Sequence, residues 1–230
     1  MTASPPRYLF DPLPPVALPI QGDDRLFPVR RIYCVGRNYA EHAREMGHDP
    51  DREPPFFFQK NPDDLRLDGR FPYPPRSADV QFEVELVAAL KAGGRDLTPE
   101  AAADAVYGYA VGLDMTRRDL QAAAKKAGRP WEIGKAFAAS APCGPLLPLA
   151  TPPRSGAITL KQNGVERQRG DLADLIWPIP EVIANLSTLF ELRPGDLIFT
   201  GTPAGVGPVA PGDALVGEIA GIGRLEVTVV

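Results

Sequence analysis

Residues 80–90 form the sequence Val-Gln-Phe-Glu-Val-Glu-Leu-Val-Ala-Ala-Leu, followed by a glycine pair at 93–94. An apolar run that ends at a turn predicts a β-strand. Because successive side chains of a strand point to opposite faces, Glu83 and Glu85 share one face and apolar side chains occupy the other. Two carboxylates on one face indicate either an edge strand with its polar side in water or a pair that binds a divalent cation.

The rest of the chain predicts more strands than helices. Further strands are predicted at 30–35, 56–58 and 107–113, with a β-meander at 196–230. Helices are predicted at 39–46, 99–106, 116–127 and 180–191. Because strands and helices do not alternate as in βαβ units, we expect a β-rich α+β fold rather than a doubly wound sheet.

Residues 1–28 contain seven prolines, and we expect them to form an extended arm with little regular structure. The remaining residues, 29–230, are expected to form a single domain. Across the chain, 27 prolines and 22 glycines predict many tight turns. Hydrophobic residues make up 44% of the 230 residues, which suits a globular protein with a full core.

Charge and cysteine content exclude several classes of protein. The formal net charge of −4 argues against a nucleic-acid partner. The two cysteines, Cys34 and Cys143, lie too far apart for a CxxC zinc site and suit a reducing compartment. No apolar run approaches the roughly 20 residues of a membrane span, and residues 1–10 lack the apolar core of a secretory signal. We therefore expect a cytoplasmic protein that does not bind membranes.

Asp114 follows the strand predicted at 107–113 and precedes the helix predicted at 116–127. It could cap that helix, or it could join Glu83 and Glu85 as a third carboxylate at a cleft. Three carboxylates without a neighbouring His or Cys select a hard ion, Mg²⁺ or Mn²⁺, over zinc.

His42 and Glu45 lie three residues apart on the short helix predicted at 39–46, so they share one face. They could form a surface ion pair, or a dyad in which Glu45 orients His42 to deprotonate water. Gly36 and Gly47 bracket this helix, and a helix with glycines on both sides could act as a mobile lid. The other histidine, His48, is expected to be solvated, and the spacing excludes an HExxH zinc protease.

Polar and cationic side chains follow Asp114. Arg118, Gln121 and Lys125 share one face of the next helix, which could be a solvated face or could meet an anionic ligand. Lys135 lies among apolar neighbours, so it either extends its charge to water or meets an anionic group. The glycine-containing loop 200–207 lacks a nucleotide fingerprint, and we expect its backbone amides to approach a carboxylate.

Four segments together resemble the fumarylacetoacetate hydrolase family: residues 35–42 (VGRNYAEH), the Glu83-x-Glu85 pair, residues 113–119 (LDMTRRD) and residues 199–203 (FTGTP). The similarity begins near residue 29 and continues to the C-terminus. Residues 42–47, 51–58 and 140–145 add a closer similarity to bacterial members that hydrolyse acylpyruvates in the gentisate pathway.

The resemblance implies a mixed β-sandwich roll, a homodimer, and one catalytic domain at 29–230. It implies that Mg²⁺ or Mn²⁺ is bound by Glu83, Glu85 and Asp114. It implies a water-activating dyad of His42 and Glu45 on a lid, with Lys135 as a further catalytic residue. The substrate-binding residues that it implies are Arg37, Arg118, Gln121 and Thr202.

The activity that the resemblance implies is hydrolysis of a carbon–carbon bond in a 2,4-dioxo acid, with 3-fumarylpyruvate giving fumarate and pyruvate. The alternative is enolate chemistry without attack by water: decarboxylation of oxaloacetate or isomerisation of a hydroxymuconate-type diacid. His42 and Glu45 favour hydrolysis, because a decarboxylase needs no base that activates water. The sequence lacks the glycine fingerprint of a nucleotide-dependent oxidoreductase. A non-catalytic binding protein would show no dependence on divalent ions.

Overall fold

The strand predicted at 80–90 is present in the computed structural model, which describes residues 7–45 and 53–230, but it is divided at Glu83. Val80–Phe82 and Val84–Leu90 belong to two different sheets. Glu83 therefore lies at the junction between the sheets.

Strands predominate within the described residues. They are β1 (Ala17–Ile20), β2 (Asp23–Pro28), β3 (Arg31–Gly36), β4 (Phe56–Lys60), β5 (Leu65–Arg66), β6 (Arg70–Phe71), β7 (Val80–Phe82), β8 (Val84–Leu90), β9 (Val106–Leu113), β10 (Thr116–Arg117), β11 (Ala141–Pro142), β12 (Leu147–Pro148), β13 (Ala157–Gln162), β14 (Val165–Asp171), β15 (Asp196–Phe199), β16 (Gly207–Pro208), β17 (Ala214–Ile219) and β18 (Gly223–Val229). The α-helices are α1 (Ala40–Glu45), α2 (Pro99–Asp104), α3 (Arg118–Lys126), α4 (Glu132–Lys135) and α5 (Ile179–Leu189). Short 3₁₀ helices form at Pro62–Asp64 and Leu172–Asp174.

A six-stranded mixed sheet with the order β12-β9-β8-β15-β3-β4 forms the centre of the molecule. Within it β15 pairs parallel with β3 and antiparallel with β8. All seven residues of β8 are buried, which means that both faces of the sheet are covered. This explains why β8 is nearly continuously apolar rather than alternating.

A second sheet, with the order β14-β13-β17-β18-β6, packs on one face of the six-stranded sheet. Side chains such as Leu86 and Val111 meet Leu160 and Leu225 in the larger apolar core between the sheets. The opposite face of the six-stranded sheet carries a smaller core that contains Ile32, Val87 and Phe199. The predicted β-rich α+β fold, a mixed β-sandwich roll, is thus confirmed.

The N-terminal segment differs from the extended arm that its prolines predict. β1 and β2 form a hairpin in which Leu18 pairs with Phe27, and both side chains are buried in the smaller core. The hairpin is joined to the body through Leu146, whose N–H donates to Pro19 O at 2.8 Å. Prolines are compatible with this hairpin because its strands do not belong to a larger sheet that would require their N–H groups.

The four predicted helices are present with boundaries shifted by one or two residues. The helix predicted at 116–127 begins at Arg118, because Thr116 and Arg117 pair with β7 as a short strand. The helix predicted at 39–46 is observed as Ala40–Glu45, and the residues after it, 46–52, which include Gly47 and His48, lie outside the described part of the chain. The helix near 180–191 is observed as Ile179–Leu189, and the helix after Thr98 ends at Asp104.

No helix in the described ranges 7–45 and 53–230 is long and apolar enough to cross a bilayer.

Candidate active site

Glu83, Glu85 and Asp114, here called the acid triad, converge where β7, β8 and β9 meet. Val84 pairs with Leu113 in an antiparallel ladder. Glu83, which precedes Val84, therefore lies beside Asp114, which follows Leu113. The N–H of Asp114 donates to Glu83 O at 2.8 Å and fixes this junction. Each residue of the acid triad offers a carboxylate oxygen, and these oxygens lie within 4.8 Å of one another.

The acid triad is buried, with 5%, 2% and 0% of Glu83, Glu85 and Asp114 exposed. The interpretation of Glu83 and Glu85 as the wet face of an edge strand is therefore wrong, because β8 lies inside the sheet. Asp114 does not cap the following helix either, since its carboxylate faces Lys60 and Lys135.

Three cations pair with the acid triad. Lys135 Nζ lies 2.8 Å from Glu83 Oε2 and 2.7 Å from Asp114 Oδ2. Lys60 Nζ lies 2.8 Å from Asp114 Oδ1, and Arg118 donates to Glu83 Oε1. Buried carboxylates of like charge require such partners, since desolvation of an unpaired charge costs several kcal/mol.

The three carboxylates differ in their electrostatic environment. Burial raises the pKa of Glu83, but Lys135 and Arg118 outweigh burial and hold it well below its ordinary value. Burial, together with Asp114 and Glu83, raises the pKa of Glu85 well above its ordinary value. A hydrogen bond of 2.8 Å from the N–H of Gly201 and the charge of Lys135 offset this rise in the pKa of Glu85 only in part. A cation beside Glu85 would relieve this repulsion, so the residues present fit a hard divalent ion that takes oxygen ligands.

His42 and Glu45 lie on α1 beside the acid triad. His42 Nδ1 is 3.2 Å from Glu45 Oε2, and both Glu45 oxygens accept from the N–H of Gly205 at 3.2 Å. The His42 side chain is 8% exposed and that of Glu45 is 36% exposed, which differs from a fully exposed surface ion pair. Because Glu45 engages Nδ1, the Nε2 atom of His42 is left to meet a water in the cleft.

A cleft of about 140 Å³ is bordered by Glu83 and Glu85 of the acid triad and by most of the other predicted residues. Its lining includes His42, Arg37, Arg118, Gln121, Lys125, Lys135 and Thr202, together with the aromatic side chains Phe56, Phe58 and Trp131. Trp131 packs edge-on against Phe56, with 5.3 Å between ring centroids, and forms an apolar wall that the sequence analysis missed. The polar face of α3, with Arg118, Gln121 and Lys125, lines the cleft.

Several predicted side chains are already engaged. Lys135 Nζ donates to Thr116 Oγ1 at 2.6 Å in addition to its two carboxylates. Gln121 Oε1 accepts from Arg118 at 2.7 Å, which leaves the amide N–H₂ as its donor end. The Thr202 hydroxyl donates to Val84 O and accepts from Gln168 Nε2, both at 2.8 Å.

The loop after β15 binds carboxylates through its backbone, as predicted, but they are the protein's own: Gly201 N–H donates to Glu85 and Gly205 N–H donates to Glu45. Gly201 has a φ of +100°, and a Cβ there would lie 2.7 Å from Asn38 Cβ. Only glycine permits both the conformation and the close approach.

Two further residues that shape the site were missed. Lys60 lies on the same face of β4 as Phe56 and Phe58, because alternate residues of a strand share a face. This spacing could have predicted that Lys60 points toward the site with the two aromatic side chains. Asn38 lies two residues before α1. Its side chain bonds Trp177 N at 2.8 Å, Trp177 O at 3.0 Å and Thr200 O at 2.9 Å. These bonds connect the start of α1 to β15.

Comparison with known proteins gives consistent results over most of the chain. The model of the fumarylacetoacetate (FAA) hydrolase C-terminal family matches residues 31–230. A fumarylpyruvate hydrolase of Ralstonia sp is 43% identical over 188 residues, which are 80% of this chain and 98% of that protein. Oxaloacetate tautomerase YcgM of Escherichia coli is 42% identical over 194 residues, covering 82% of this chain and 88% of that protein.

The structure also resembles solved ones. The crystal structure of a fumarylpyruvate hydrolase from Pseudomonas aeruginosa, in complex with Mn²⁺ and pyruvate, superposes with a TM-score of 0.95. The two chains are 55% identical, and the match covers 97% of this chain and 99% of the other.

Proposed function

The chain belongs to the fumarylacetoacetate hydrolase family, and from this premise we propose that it hydrolyses 3-fumarylpyruvate to fumarate and pyruvate. The observation that carries this proposal is a cleft lined by Glu83 and Glu85 of the buried acid triad and by His42, whose ring is held by Glu45. The reaction places the protein in aromatic catabolism through gentisate.

Glu83, Glu85 and Asp114 hold Mg²⁺ or Mn²⁺ in this proposal. When bound, the ion supplies a Lewis acid for the carboxylate and 2-oxo oxygens of the pyruvoyl group. Arg118 pairs with Glu83 and Lys60 pairs with Asp114, so the protein itself orients these two ligands.

His42 acts as the general base. Its Nε2 atom removes a proton from a water, and the resulting hydroxide attacks the C4 carbonyl of the substrate. Glu45 holds the imidazole through Nδ1 and is itself fixed by the N–H of Gly205. Glu45 is thus a positioning residue that stabilises the protonated imidazole.

Lys135 and Gln121 stabilise the negative charge that develops on the C4 oxygen. Lys135 can release its contact with the neutral Thr116 hydroxyl more easily than its two charged contacts. Gln121 presents its N–H₂ end because Arg118 holds the oxygen. The C3–C4 bond then breaks, fumarate leaves, and the pyruvate enolate takes a proton at C3 from the His42 imidazolium.

Arg118 and Thr202 complete the binding of the pyruvoyl end. Because the Thr202 hydroxyl is engaged on both sides, its backbone N–H is the group proposed to meet the substrate carboxylate.

Oxaloacetate chemistry is the second candidate, since the Escherichia coli relative is an oxaloacetate tautomerase. That chemistry needs no attack by water, so it would not require a base that activates water.

We further propose that residues 29–230 are the catalytic domain, that the protein forms a homodimer, and that it functions in the cytoplasm. The buried free thiols of Cys34 and Cys143 suit a reducing compartment. Light scattering of the purified protein tests the homodimer.

The test of the function is an absorbance assay. Protein stripped by a chelator and resupplied with Mg²⁺ or Mn²⁺ is mixed with fumarylpyruvate, acetylpyruvate or oxaloacetate. We expect metal-dependent loss of the fumarylpyruvate signal with formation of fumarate and pyruvate. Turnover of oxaloacetate alone would reject hydrolysis in favour of the second candidate.

A further inference from the structure

Arg37 and Lys125 line the same cleft as Glu83 and Glu85 of the acid triad. The proposed reaction steps use neither residue. The positions of these two cationic side chains relative to the acid triad indicate which part of a ligand they bind.

Lys125 lies on α3 seven residues after Arg118. Seven residues correspond to about 10 Å along a helix axis. Since Arg118 contacts Glu83, α3 extends from the acid triad toward an exposed position at Lys125. Lys125 therefore marks a part of the cleft distant from the carboxylates.

Arg37 directly follows β3 and has a φ of +59°, a left-handed conformation that is unfavourable for arginine. Its guanidinium lies over the Phe56 ring, 5.1 Å from the centroid. Strained backbone of this kind is frequent at functional sites, and the aromatic ring limits the freedom of the side chain. The charge of Arg37 is thus held in place before a ligand arrives.

The two cations repel each other. Burial, and then the charge of Arg37, lower the pKa of Lys125. An anion bound between them would be attracted by both charges and would reduce this repulsion.

We propose that Arg37 and Lys125 bind the second carboxylate of the substrate, at the end of the acyl group remote from the 2-oxo acid. This inference rests on the proposed function and defines its substrate class as long 2-oxo diacids. Six bonds separate the two carboxyl carbons of fumarylpyruvate, which extends about 7 Å at roughly 1.2 Å per bond. Oxaloacetate has three such bonds and spans only about 4 Å, so its second carboxylate stays beside the acid triad.

Binding of two seven-carbon ligands tests the inference independently of turnover. Calorimetry on the Mg²⁺-loaded protein compares 2-oxoheptanedioate with 2-oxoheptanoate, which lacks only the second carboxylate. We expect the wild type to prefer the diacid about tenfold to a hundredfold, the range of one or two charged hydrogen bonds. Arg37→Gln and Lys125→Gln should each reduce that preference about tenfold, and affinity for the monoacid should stay within about threefold.

The chain offers matched controls. Arg76 is an exposed arginine with a φ of +67° outside the cleft, and Lys126 is the neighbour of Lys125 on the same helix. Arg76→Gln and Lys126→Gln remove the same charges, and both should keep the wild-type preference. Equal affinity of the wild type for the two ligands, or equal losses in variants and controls, would overturn the inference.

Hydrolysis separates this inference from the proposed function. In Arg37→Gln and Lys125→Gln, kcat/KM should fall about tenfold for fumarylpyruvate and stay nearly unchanged for acetylpyruvate, whose acyl group is neutral. If the wild type hydrolyses neither compound, the proposed function fails, and the calorimetric preference still decides the inference.

Discussion

The bottom and the mouth of the cleft are built on different principles. At the bottom, the acid triad with Lys60 and Lys135 is at most 5% exposed, and strands or ion pairs hold every member. At the mouth, His42 and Glu45 lie on a six-residue helix, and Arg37 and Lys125 are partly or fully exposed. The buried charges are thus held by strands and ion pairs, and the groups at the mouth lie on shorter or more exposed segments.

The largest effect on catalysis is expected from Asp114→Asn, which removes one carboxylate of the acid triad. It removes a metal ligand and leaves Lys60 and Lys135 short of a buried counter-charge. We expect the free energy of unfolding to fall by about 3 kcal/mol or more, and kcat/KM to fall about a thousandfold or more. Urea unfolding, Mn²⁺ calorimetry and kinetics measure these changes. Asp68→Asn, at an exposed ion pair, is the control. Wild-type Mn²⁺ affinity in Asp114→Asn would refute the assigned metal site.

His42→Ala tests whether the mouth carries the base. We expect kcat for fumarylpyruvate to fall about 10²- to 10⁴-fold, the usual contribution of a general base. Mn²⁺ affinity and thermal stability should change little, because the His42 ring bonds to Glu45 rather than to the acid triad in the described part of the chain. Glu41→Gln, on the exposed side of the same helix, should behave as the wild type. Activity within tenfold of the wild type would remove His42 from the base role.

Glu45→Gln is expected to have a smaller effect. Glutamine can still accept from the N–H of Gly205, but it no longer stabilises a positive charge on His42. We expect kcat to fall about tenfold to a hundredfold with KM nearly constant, and Glu45→Ala to fall further. Steady-state kinetics distinguish the two variants. A loss as large as that of His42→Ala would mean that Glu45 takes part in proton transfer itself.

Leu18→Ala should leave catalysis unchanged while it destabilises the protein. Leu18 is fully buried between the hairpin and the sheet, and such a truncation costs about 2–5 kcal/mol. Leu26→Ala, on the exposed side of the hairpin, should cost less than about 0.5 kcal/mol. Denaturant unfolding and kcat/KM are measured together. A fall in kcat/KM of folded Leu18→Ala would show that the hairpin shapes the cleft.

Local rules predicted much of this molecule from its sequence. The alternation of residues in 82–86 placed Glu83 and Glu85 on one face, and the strand end left Asp114 either as a helix cap or as a third carboxylate beside them. The β-rich class followed from the turns and the short apolar runs. The resemblance to the family then supplied the roll, which these local rules do not specify.

Pairings between distant segments could not be predicted in this way. β15 lies between β8 and β3, so Leu197 pairs with Ala89 on one side and with Ile32 on the other. Lys60 reaches Asp114 only because β4 pairs with β3 in one particular register. The hairpin at 17–28 was missed because proline content was given more weight than the apolar residues Leu18 and Phe27.

The junction at Glu83 also limits where residues can be inserted into or deleted from this chain. A residue inserted between Glu83 and Glu85 would turn one carboxylate toward the opposite face and shift either β7 or β8 relative to its partners. The turn at Gly164, where a Cβ would meet nothing within 4 Å, carries no such constraint. Natural variants of this protein should therefore accumulate insertions and deletions at the β13–β14 turn and almost none within 82–86.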